Sequence, residues 1–463
     1  MSGPTRAFHP FGGQVGEASG MGARRSERSG GGTRARTTTP APAERGPAGW
    51  VVAVRRLSTS TILMLIVGVL CVVGLVMVGS ASAVISLNLY GSPWSILIRE
   101  GMWMGLGVVA LLFARRFEYR RWRRLCGPLL VVTFLLLLAV LVPGIGVHSG
   151  GSSRWIGFGQ LRVQPSELMK LALALFGADL VARRTEQGAD HRRIVGPLLL
   201  VAGAGGGLII LQPDMGTALV IGAITLALLF ASGVPLGPLM KVLGALAGLA
   251  FVVGMVDPYR RARLLSFLNP GAHQSGSGYQ VVQSLIGLGS GHLFGLGLGD
   301  SRQKWGLLPN AHTDFIFSVI GEELGLIGAL FVLFLLGAFA WFGLRAAQRA
   351  TERFGSLLAV ALVAWIVSET VINVGAVIGL LPVTGIPLPF ISFGGSSLVI
   401  TMLAAGILMN IARDEKRRAP RGDGHRAART QGTARPTKRA DPHRARTAAP
   451  GNGLRTPSRS ASR

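Results

Sequence analysis

The stretch Leu308-Pro309-Asn310-Ala311-His312-Thr313-Asp314-Phe315-Ile316-Phe317 sets a carboxylate, a histidine and a threonine at the mouth of an apolar run. A carboxylate at a membrane boundary meets water and lipid-linked molecules together, which suits Asp314 to general-base work. The competing assignment is a helix N-cap. A second group lies earlier, where Arg154-Trp155 is followed by Gln164-Pro165-Ser166-Glu167 and Lys170. Glu167 and Lys170 are three apart, so they share one face of a helix that Pro165 and Ser166 would open. They read either as an interfacial ion pair or, with Arg154, as charges that meet a ligand. Lys304, beside Arg302 and downstream of Arg260, Arg261 and Arg263, adds donors of the kind that recognise phosphate. The third group is 379–397, with three prolines and four glycines ending in Ser396-Ser397. Irregular backbone at membrane depth survives only where it lines a cavity or packs against protein. This re-entrant segment, with Ser396 as a candidate substrate contact, is therefore expected beside the same cavity as Asp314.

The elements that must position these groups are apolar helices. Of the 463 residues, 49% are apolar and 15% charged, and uncharged runs such as Thr61–Ser86 exceed what a bilayer needs. The fold class is all-α and polytopic, with about ten transmembrane helices near 61–86, 94–114, 125–142, 166–182, 194–213, 215–233, 236–256, 315–343, 356–381 and 391–411. The loops at 115–124, 183–193 and 345–353 carry six, four and three arginines, which assigns them and both termini to the cytoplasmic side. Loops 143–165 and 257–314 then face outward, the second a large extracytoplasmic loop between helices 7 and 8. Its opening, 258–268, fits a short interfacial helix, and its glycine-rich part, Gly287 to Gly299, does not match a nucleotide P-loop. A charge inside a span costs at least ~2.5 kcal/mol, so Asp179, Glu322, Glu323 and Glu369 each need a partner. A structural role is expected for the adjacent Glu322 and Glu323.

The net charge of +26 suggests nucleic acid until it is placed. Residues 1–57 are net +6 and residues 413–463 net +11, and both tails are rich in Gly, Pro, Ser and Arg. They are expected to be disordered cytoplasmic tails flanking a membrane domain of 58–412. No signal peptide is expected at the N-terminus, where no apolar core appears before residue 61. Membrane lipids or an acidic protein, and no nucleic acid, are the expected partners of that charge. Cys71 and Cys126 lie in or beside apolar runs, which excludes a disulfide framework.

Five strings carry a resemblance: RWIGFGQLRVQPSELMK, QPDMGTAL, PYRRARLLSFLNP, SRQKWGLLPNAHTDFIFSVIGEELG and GLLPVTGIPLPFISFGGSS. Together they resemble the SEDS family (shape, elongation, division and sporulation) over roughly 58–412, the division branch more than the elongation branch. That resemblance implies a ten-helix SEDS fold and a peptidoglycan glycosyltransferase that polymerises lipid II at the septum. Its partners would be a class B penicillin-binding transpeptidase and other division proteins. It also implies an essential Asp314, with Arg154, Glu167 and Lys170 as further site residues; Lys304, His312, Thr313 and Ser396 are read with them as substrate contacts. Asn310, His292 and Glu369 depart from the family's usual Glu, apolar or aromatic residue, and Gln. No cofactor is named by the residues, and a divalent cation is left open. A lipid II flippase and a non-catalytic scaffold are the competing functions. A base at an outer cavity favours the enzyme, while Asp179 and Glu369 within spans leave room for transport.

Overall fold

The computed structural model describes residues 58–418 apart from 150–151, 159–160, 189, 257–260, 262–266 and 268–276. Both tails fall outside the described residues, except that helix α11 below runs to Arg418, and of the expected interfacial helix at 258–268 only residues 261 and 267 are described. Eleven α-helices are described: α1 Thr59–Tyr90, α2 Ser95–Arg116, α3 Tyr119–Leu141, α4 Pro165–Glu186, α5 His191–Leu211 and α6 Met215–Ala231. They continue as α7 Leu236–Val256, α8 Ser277–Ser290, α9 Ile316–Gln348, α10 Arg353–Val377 and α11 Ser396–Arg418. All but α8 match the ten expected spans in order. Eight are long and apolar enough to cross a membrane. The other two are α6, which has 17 residues, and α4, whose sequence is diluted by Glu167, Lys170 and Asp179. The break expected at Pro213-Asp214 separates α5 from α6, and the Asp214 carboxylate caps α6 by accepting from Thr217 N at 3.1 Å.

Burial explains why α4 tolerates charge. Its residues from Met169 to Ala182 are almost all buried, because α3, α5, α6, α10 and α11 surround it. By contrast α7 buries only Leu239 and Gly254 and packs on α6. The outer loop at 143–165 adds what the all-α expectation did not contain, a three-stranded antiparallel sheet in the order β1 Val147–Ser149, β2 Ser152–Phe158 and β3 Leu161–Val163. It ends directly at Gln164, the residue before α4.

The glycine-rich stretch has a structural explanation. Helix α9 is broken at Gly325 (φ 69, ψ −170), which frees backbone groups inside the bundle. The segment after α8 re-pairs them. Leu296 N and Gly297 N donate to the carbonyls of Glu322 and Glu323 at 2.9 and 3.1 Å, and Leu326 N and Ile327 N donate to His292 O and Leu293 O at 2.9 and 3.2 Å. Backbone lies directly on backbone here: a Cβ at Gly291 would strike Gly321 O, and one at Gly295 would strike Glu323 O. Only glycine fits.

Small residues also set helix spacing, as membrane packing requires. A Cβ added at Gly406 of α11 would lie 2.8 Å from Ala114 Cβ and 3.0 Å from Leu111 Cα of α2, whereas one at Gly244 of α7 meets nothing within 4 Å. Gly406→Val should therefore destabilise the bundle by about 1–3 kcal/mol through overpacking. In thermal denaturation of the detergent-solubilised protein its Tm should fall by several degrees, and that of Gly244→Val should not.

Candidate functional site

Asp314 sits on the turn leading into α9 and is half-buried. Phe315, and not Asp314, occupies the N-cap position of α9. The turn is built around Asn310, whose carbonyl accepts from Thr313 N at 3.1 Å and Phe315 N at 3.3 Å. Asn310 has φ 59, a left-handed conformation that asparagine adopts more readily than glutamate. Thr313 Oγ1 donates to the same carbonyl at 3.2 Å.

The 379–397 segment runs beside Asp314. Gly385 has φ 79, and a Cβ there would lie 3.5 Å from Asp314 Oδ2, so the Val383–Pro387 turn passes directly beside the carboxylate. Asn373 of α10 ties the two pieces together. Its buried Nδ2 donates to Asp314 O at 2.8 Å and to Ile386 O at 2.7 Å. A second tie runs from Phe393 N to His312 O at 3.1 Å, with the two rings 5.8 Å apart. Burial holds the His312 imidazole down to about 4, so at neutral pH it is an uncharged ring beside Asp314.

One helical turn before Asn373 on α10 stands Glu369, the start of a buried ion cluster. Lys170 of α4 pairs with Glu167 at 2.7 Å and with Glu369, and these residues are 1–2% exposed. Trp365 Nε1 donates to Glu369 at 2.7 Å, and its ring lies 5.0 Å from the ammonium. Glu167 in turn accepts from Ser397 Oγ of α11 at 2.9 Å. The pair is thus a cross-link of α4, α10 and α11, deep in protein where the sequence also allowed an interfacial ion pair. Beside it, Ser396 Oγ accepts from Gln164 N at 3.2 Å. The Gln164 side chain and Ser166 both donate to Asp214, at 2.9 and 3.3 Å.

The remaining expected residues are engaged as follows. Arg154 donates to Gln212 O at 3.1 Å and to Pro213 O, fastening β2 to the α5–α6 turn. Lys304 donates to Gly299 O and lies 3.9 Å from Glu323, which accepts from Ser80 Oγ at 2.6 Å. Glu322 accepts from Ser301 Oγ and from Arg302 N at 3.0 Å, holding the loop that leads to Asp314. Both glutamates are therefore structural, as expected. Asp179 is bracketed by Arg123 at 2.5 Å and Arg183 at 2.9 Å. So the two in-span carboxylates that favoured transport, Asp179 and Glu369, each have a cation. Among the described residues, no three His, Cys, Asp or Glu side chains are grouped to hold a metal.

Sequence reasoning missed Asn373, Asp214 and Ser397. The first stands out only as an amide inside an apolar span. Glu100 of α2 was missed too; it is buried, and the N–H groups of Gly394 and Gly395 donate to it.

The family model for FtsW, RodA and SpoVE, described as cell cycle protein, matches residues 60–417. The chain belongs to that family. It is 44% identical over 349 residues to a probable peptidoglycan glycosyltransferase FtsW of Coxiella burnetii, covering 74% of this chain and 93% of that one. It is 40% identical over 361 residues to the stage V sporulation protein E of Bacillus subtilis, covering 78% and 98%. Among solved structures, a chain of a peptidoglycan synthase complex that coordinates polymerization and crosslinking is 30% identical, with a TM-score of 0.62 over 76% of this chain and 97% of that one. The apolar helices and the family together make this a multi-pass membrane protein.

Two outcomes follow. Removing one member of a buried ion pair strands the other charges, at a cost of about 3–5 kcal/mol. Lys170→Met should therefore unfold at a much lower temperature than wild type. Glu369→Gln keeps the Lys170–Glu167 pair and an acceptor for Trp365, so it should stay within about 1 kcal/mol. His312 gives a pH signature. Its folded value of about 4 lies below the unfolded 6.5, so the unfolded chain binds more protons between the two. The His312 contribution to stability is full above pH 6.5, declines as pH falls and levels off below 4. In His312→Gln, Tm measured across pH 4–7 should lose that part of the slope.

Proposed function

We propose that this chain is a peptidoglycan glycosyltransferase that polymerises lipid II, the undecaprenyl-pyrophosphate-linked disaccharide peptide. The reaction runs at the outer face of the cytoplasmic membrane during septal wall synthesis. The observation that carries the reading is the Asp314 carboxylate, half-buried beside the Gly385 turn at the head of α9. It occurs in a chain whose FtsW relative, named for this activity, aligns over 93% of its length. Residues 58–412 form the membrane domain, with residues 1–57 and 413–463 as cytoplasmic tails. The partner is a class B penicillin-binding transpeptidase, in keeping with a solved relative from a complex that coordinates polymerization and crosslinking.

The chemistry needs few groups. An acceptor sugar hydroxyl is a poor nucleophile near neutral pH, and Asp314 takes its proton as it attacks the donor's anomeric carbon. The bond to the pyrophosphate breaks, its electron pair leaves with the phosphate, and attack opposite an α-linked leaving group gives a β-linked glycan. Since the donor carries its own activation, no enzyme nucleophile is required. Uncharged His312, Thr313 and Ser396 flank the acceptor region in this reading. Arg154 and Lys304 are the cations assigned to the leaving pyrophosphate in this reading, while Lys170, buried and paired with Glu167 and Glu369, acts by holding α4 against α10.

The test uses the purified chain with its transpeptidase partner on lipid II. Asp314→Ala and Asp314→Asn should polymerise at least about 100-fold more slowly than wild type, the range for loss of a general base, at unchanged Tm. Equal polymer from wild type and variants, or none from any of them, would show the base assignment to be wrong.

A further inference from the structure

At the opposite end of the bundle from Asp314, where α2 ends, α3 begins and α11 leaves the bundle, an open pocket of about 310 Å³ is lined by Arg116, Arg120, Arg121 and Arg413. Its wall is rigid. Asn410 accepts from Tyr119 N at 3.0 Å and donates to Arg115 O at 2.8 Å, locking the α2–α3 turn onto α11. Arg120 is fully engaged, with Glu352 at 2.6 Å, Glu118 at 3.0 Å and Asp414 at 3.4 Å. The other three arginines are not. Arg121 lies over the Phe117 ring, 5.8 Å from its centroid, and has one 3.7 Å contact with Glu118, and Arg116 and Arg413 have no carboxylate within 4.0 Å among the described residues. Four guanidinium groups against Glu118 and Asp414 leave the pocket net positive.

We infer that this pocket binds the phosphate of an anionic phospholipid headgroup. Guanidinium groups converging without carboxylate partners suit phosphate oxygens, which accept two N–H bonds from one arginine. A lipid, more than free phosphate, is favoured by what lies beneath. Phe117 lines the pocket, and the ring of Phe113 stacks on it at 5.4 Å while 55% exposed. An apolar strip thus leads from the arginines into the membrane-spanning part of α2, where an acyl chain would lie. Basic pockets between membrane helices at this level are suited to anionic headgroups.

The experiment uses the full-length protein in nanodiscs of phosphatidylcholine with or without phosphatidylglycerol, with bound lipid counted by native mass spectrometry. Arg116→Ala with Arg413→Ala should weaken phosphatidylglycerol retention about tenfold or more. Both side chains are exposed and unbridged, so Tm in phosphatidylcholine alone should not change. Arg192→Ala with Arg193→Ala removes the same charge from the exposed first turn of α5 at the same end and should retain lipid as wild type does. Equal loss in both double variants would overturn the site in favour of diffuse attraction. Displacement of phosphatidylglycerol by millimolar inorganic phosphate would overturn the lipid as its source.

Discussion

A lysine buried in the middle of a membrane protein has to be matched, and this requirement organises the rest of the molecule. Lys170 is answered by Glu167 on its own helix and by Glu369 on α10. An ammonium left alone there would carry a desolvation cost that packing could not offset. Because the answering groups lie on different helices, the requirement is also a geometric one. It fixes the rotation of α4 against α10, and Ser397 extends the constraint to the start of α11. Asn373, a turn further along α10, then holds both the Asp314 turn and the segment around Ile386. The carboxylate at the surface is placed by charges buried beneath it.

The ten spans were legible because the physics that sets them is local. Apolar runs of bilayer length, basic loops between them and a Pro-Asp break at 213–214 can all be read along one chain. Asp314 and the 379–397 segment were also legible, the first from its position at a loop–helix boundary. The second followed from having too many prolines and glycines to cross as a helix. What could not be read was pairing. Nothing in the sequence says that Lys170 reaches Glu369, 199 residues away, or that Asn373 faces two carbonyls in separate loops. The glycine-rich stretch before Asp300 is the same case. Its role as a backbone splint for broken α9 depends on Gly325, and each half is uninformative without the other.

The two ends of the bundle are chemically unlike. One presents a carboxylate, a neutral imidazole and hydroxyls on turns fastened to buried helices. The other presents arginines, some spent on Glu118, Glu352, Asp414 and Asp179 and some left over. Of the net charge of +26 that first suggested nucleic acid, +17 belongs to residues 1–57 and 413–463. At the first end Asp314 is singled out by its place, half-buried at a loop–helix boundary beside the Gly385 turn.

The most direct measurement is a structure of this chain with its transpeptidase partner and a lipid-linked acceptor bound. An Asp314 carboxylate oxygen should lie within about 3.2 Å of the acceptor's attacking hydroxyl, or one water away, with Asn373 still bonded to the Asp314 and Ile386 carbonyls. An acceptor bound with its hydroxyl facing a different carboxylate, and Asp314 turned away from it, would contradict the account.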